Sequence, residues 1–204
     1  FRPPRSGISS AMAAPISAVW TAAAITISTP MYPTANLSFE KLSDFVHSFY
    51  AELDEPLFLA IHPDAESDEV WYLDGMTKKQ LTMILDGYGE LLYQDGLSAF
   101  AIGSLTTEEE LFVQKYKVLS IYSETAKRFV PLLKKYGMEP TGHLVTAWDT
   151  FSEEKPGAAE RLEIAGQTVP DMIKELCKIG MYKAQKSSCR SHRERPCRRR
   201  AARH

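Results

Sequence analysis

Between residues 57 and 180 the chain passes three times through the same order: short apolar stretch, acidic turn, second apolar stretch, capped amphipathic segment. Two strands joined by a short turn pair antiparallel, and an amphipathic helix that follows can cover one face of the sheet. The first unit predicts strands at 57–62 and 70–73 around an acidic turn at 64–69. Thr77 and Gln80 then form a capping box for a helix over 78–93, with Gly96 beyond its end. The second unit predicts strands at 97–102 and 111–122, then a helix over 124–136 capped by Ser123. Pro131 falls inside that helix and must kink it or move its start. The third predicts strands at 143–148 and 161–165 and a helix over 169–179, capped by Thr168, with Pro170 in the first turn.

A further helix precedes these units, over 39–53. Leu42, Phe45, Val46, Phe49 and Leu53 recur every three or four residues and so share one face. Ser38 is placed to cap it, and Leu37 to pack on Leu42. The predicted fold is therefore α+β: a mixed or antiparallel sheet of five to six strands, built from about three ββα units plus an N-terminal helix. Gly87 and Gly89, inside the second helix, imply the close approach of another element.

Charge separates the body from its ends. Residues 31–182 hold 13 Lys or Arg against 25 Asp or Glu, a net charge of −12. Residues 183–204 hold nine Lys or Arg and the single acid Glu194. Residues 1–30 contain no acid and are rich in Ala, Ser, Thr and Pro, while the tail has no aliphatic side chain larger than Ala. Neither end can bury enough apolar surface to offset the entropy of ordering it. The expected organisation is a disordered or non-native leader over 1–30, one α+β domain over 31–185, and a disordered basic tail over 186–204. Removing both ends is accordingly expected to leave the melting temperature within a few degrees of the full chain's in moderate salt; a large drop in a thermal melt would refute this.

An acidic body repels nucleic acid and anionic membrane and favours a basic partner. No apolar run is long enough for a membrane span. Cys177 is the only body thiol, which agrees with a reducing, cytoplasmic setting, and Cys189 and Cys197 in the tail match no zinc-finger spacing. No metal and no cofactor is expected.

The candidate chemistry lies at strand ends. His62, followed by Pro63 and Asp64 with Asp68 and Glu69 close behind, could work as an acid–base group beside carboxylates. His143 and Asp149 fall on one face of a strand. Six residues along an extended strand span about 20 Å, so they cannot touch each other directly. Trp71, Tyr72 and Trp148 are large aromatics suited to a binding surface or to closing the core. Glu108, Glu109 and Glu110 are three consecutive acids in the second acidic turn, able to steer a basic partner. These features point first to a small acidic binding or regulatory protein that engages a basic protein partner. The alternative is a hydrolase-like enzyme with a His/carboxylate site at strand ends, with His62, His143 and Asp149 as its candidates.

Overall fold

The computed structural model describes residues 18–19, 33–139, 149, 151–153 and 159–184. The expected strand at 143–148, with His143 and Trp148, lies outside these residues, as do Cys189 and Cys197. Six strands form an antiparallel sheet in the order β2 (Pro33–Asn36), β7 (Val118–Tyr122), β6 (Glu110–Val113), β5 (Ala99–Ser104), β3 (Leu57–His62) and β4 (Trp71–Met76). Two-residue strands extend its edges: β1 (Ala18–Val19) runs parallel to β2, and β8 (Tyr182–Lys183) pairs antiparallel with β4. Four helices accompany the sheet among the described residues: α1 (Phe39–Ala51), α2 (Lys78–Gln94), α3 (Val130–Lys135) and α4 (Val169–Cys177). The fold is α+β with an antiparallel sheet, as the sequence predicts.

One face of the sheet and all four helices share a single core. Leu42, Phe45, Val46, Phe49 and Leu53 have no exposed surface, which places the predicted stripe of α1 wholly inside. Leu37 is buried beside them, consistent with a staple. Burying each such side chain stabilises the fold by about 1.5–3 kcal/mol relative to leaving it in water. Phe49 stacks on Phe129 at 4.8 Å between ring centroids and so ties α1 to the segment before α3. The other sheet face carries a small cluster of Phe58, Ala60 and Ala101 with Tyr72 and Phe112 at its border.

The helix starts follow the capping logic at α2 and α4 but not at α1, where Ser38 precedes the helix without making a side-chain cap hydrogen bond, nor at α3. Thr77 and Gln80 form the full capping box of α2. At α4 the Asp171 carboxylate accepts from the Thr168 backbone N–H and hydroxyl, at 3.2 and 2.6 Å. Ser123, in contrast, caps no helix: its hydroxyl donates to the Glu109 carboxylate at 2.9 Å. The chain instead forms a short 3₁₀ turn at Ala126–Phe129, and α3 begins only at Val130, with Pro131 in its first turn. Proline lacks the N–H that a helix interior requires, so it is accommodated where that donor has no partner to lose.

Three strand expectations are corrected. The single strand expected over 111–122 is a hairpin, β6 and β7, turning through Gln114–Val118. Tyr116 and Lys117 both take left-handed φ of 60° there, without the glycine that usually marks such a turn. Lys117 is held in place by donating to the Leu92 and Asp95 carbonyls at the end of α2, at 3.1 and 2.9 Å. Cations at that end of a helix are favoured. β4 runs to Met76, three residues beyond the expected end, because a register shift absorbs an extra residue opposite Leu57–Leu59; Gly75 with φ of 76° lies in that stretch. Residues 161–165 form no strand; they end in one isolated bridge, Ile164 to Gln167, across Ala165 and Gly166. Within the described residues the hairpin-then-helix order is visible at β3-β4-α2, and with an added strand at β5-β6-β7-α3.

Candidate functional site

Of the strand-end candidates, His62, Asp149, Trp71 and Tyr72 fall among the described residues. His62 ends β3 half-buried, its ring 5.7 Å from that of Phe112, and burial lowers its pKa. Among the described residues no hydrogen bond joins it to an acid. The neighbouring carboxylates are used locally: Asp64 accepts from the Glu66 N–H, Glu66 pairs with Lys115, and Glu69 accepts from the Trp71 indole and pairs with Lys183. Arg161 donates to the Pro63 carbonyl at 2.6 Å. Asp149 is exposed. Trp71 packs against the main core, whereas its neighbour Tyr72 faces the opposite side of β4, near Phe58 and Tyr182. Strand alternation alone separates the two aromatics.

The three glutamates of the acidic turn take three environments. Glu108 is exposed, with a left-handed φ of 55°. Glu109 is only 3% exposed, and it accepts from Ser123 and Thr107 at 2.9 Å and pairs with Arg128. Glu110 pairs with Gly103 and Tyr122 in the sheet, and its neighbours Leu111 and Val113 point into the core. Its own side chain therefore lies on the opposite face, where burial pushes the carboxyl up to about 7. Only Glu108 remains free to meet a partner from solvent.

The acidic surface that does assemble lies between α1 and α2. A groove of about 360 Å³ opens there, floored in part by Leu85. From α1 it receives Glu40, Ser43 and His47, spaced by three and four residues and so carried on one face. From α2 it receives Asp86 and Glu90, one turn apart, and Tyr93. No lysine or arginine lines it among the described residues. Gln94 donates to Glu90 at 3.1 Å and steadies that carboxylate.

Two further features set the groove apart from an ordinary solvated helix face. Tyr93 is 6% exposed, and its buried hydroxyl has no hydrogen-bond partner. Ser43 lies near enough to favour the phenolate slightly but not in hydrogen-bonding geometry, and burial dominates, pushing the phenol up. The Tyr93 ring lies back over Gly89, where a Cβ would come within 2.8 Å of it. The close approach expected at Gly89 is thus made by a side chain of the same helix, and Gly87 has open space around it. Second, His47 is tied down: its Nδ1 lies 2.7 Å from the Tyr50 hydroxyl, which in turn lies 2.8 Å from the Thr82 hydroxyl on α2.

Among the described residues no three His, Cys, Asp or Glu side chains stand close enough together to hold a metal ion. The groove's carboxylates are spread along two helices and suit an extended organic cation better than a compact one. The signal for it was present in the sequence as polar positions 40, 43 and 47 flanking the apolar stripe, facing 86, 90 and 93. Only the pairing of α1 with α2 brings the two rows together. No known protein family matches the chain, and no curated protein or solved structure is significantly similar to it.

Proposed function

We propose that the protein is a binding protein that engages a basic protein partner through the acidic groove between α1 and α2. The observation that carries this reading is the set Glu40, Asp86 and Glu90, which faces solvent with no lysine or arginine in the lining among the described residues. A cation about 4 Å from a carboxylate gains ~1 kcal/mol in a water-like environment and ~4 kcal/mol near a protein surface. Several such contacts give a useful affinity that salt weakens. The net charge of −12 over residues 31–182 would speed the encounter. A cytoplasmic setting fits the exposed, free Cys177.

The experiment is a titration of the full chain with a lysine- and arginine-rich peptide at low and moderate ionic strength. Binding is expected to weaken by roughly tenfold between 0.05 and 0.3 M salt as screening grows. The double variant Asp86→Asn, Glu90→Gln is expected to lose about tenfold in affinity at low salt, at ~1 kcal/mol or slightly less per charge. Its stability should stay within about 0.5 kcal/mol of the parent, because both side chains are exposed. Affinity indifferent to salt and to both substitutions would sink the proposal. A hydrolytic site at His62 has less support, since no carboxylate is hydrogen-bonded to that ring among the described residues.

A further inference from the structure

We draw no further inference here: the strongest candidate, the outer face of the sheet where Phe58, Tyr72 and Phe112 border Ala60 and Ala101 beside the Glu110 carboxyl, carries nothing because nothing in the structure shows what covers it.

Discussion

Replacing Asp95 with alanine is expected to destabilise the fold by about 3–5 kcal/mol, the usual cost of breaking a buried charge pair from one side. Asp95 follows α2 directly and has no exposed surface. Its carboxylate accepts from the backbone N–H groups of Leu97, Ser98 and Leu162, at 3.1, 2.7 and 2.8 Å, and from Arg161 at 3.1 Å. One side chain thereby joins the end of α2, the entry to β5 and the segment leading to α4. Alanine would leave three backbone donors and a guanidinium without their acceptor. For a domain of this size the loss corresponds to a fall in melting temperature of roughly 10 °C. Arg161→Ala should cost less, because the carboxylate keeps its three backbone donors. Urea denaturation of both variants measures the contrast, and an Asp95→Ala loss below that of Arg161→Ala would show that the carboxylate is not the organising group.

The same region shows why some elements were legible in the sequence and others were not. The stripe of α1, the box at Thr77 and Gln80, and the strand at 57–62 are local patterns: each depends on residues a few positions apart. The turn at 114–118 carries no such pattern. Its left-handed residues are Tyr116 and Lys117, and what secures it is a lysine donating to the far end of α2, about 22 residues earlier in the chain. Ser123 read as a helix cap because serine commonly serves there, yet its hydroxyl is claimed by Glu109, 14 residues away. In both cases a long-range polar contact outweighs the local preference.

The groove follows the same division. The spacing of Glu40, Ser43 and His47 is a helical period visible without coordinates, and so is that of Asp86, Glu90 and Tyr93. Their opposition depends on how α1 and α2 pack, and His47 is held by a chain of two hydroxyls, Tyr50 and Thr82, that crosses between them. Tertiary packing also redistributes the acidic turn. Three consecutive glutamates that read as one surface patch become an exposed residue, a buried anchor and a group on the outer sheet face. A row of like charges in sequence specifies a surface only where every side chain is free to reach it.

Glu110→Gln is expected to stabilise the protein by about 2–3 kcal/mol at pH 8 while changing little at pH 4.5. Burial raises the folded carboxyl to about 7, against 4.5 for the free side chain. The folded state therefore holds its proton more tightly than the unfolded chain does, and stability must fall as pH rises through the interval between those values. Below about 4.5 both states are protonated and no penalty exists; above about 7 the penalty is complete, near 3 kcal/mol at 1.36 kcal/mol per unit, trimmed by the residue's partial exposure. Lys117 acts in a separate window. Burial lowers it to about 8 from 10.5, so its penalty is present below pH 8 and is relieved as pH climbs toward 10.5. Glutamine matches the size of the protonated glutamate and cannot ionise, so the variant should lose the decline between pH 4.5 and 7 and keep the rise above pH 8. Urea denaturation at pH 5, 6, 7 and 8 reads this directly. A parent chain whose stability is flat from pH 5 to 8 once other carboxylates are matched by the variant would show that Glu110 is solvated, and that the outer face of the sheet is open to water around it.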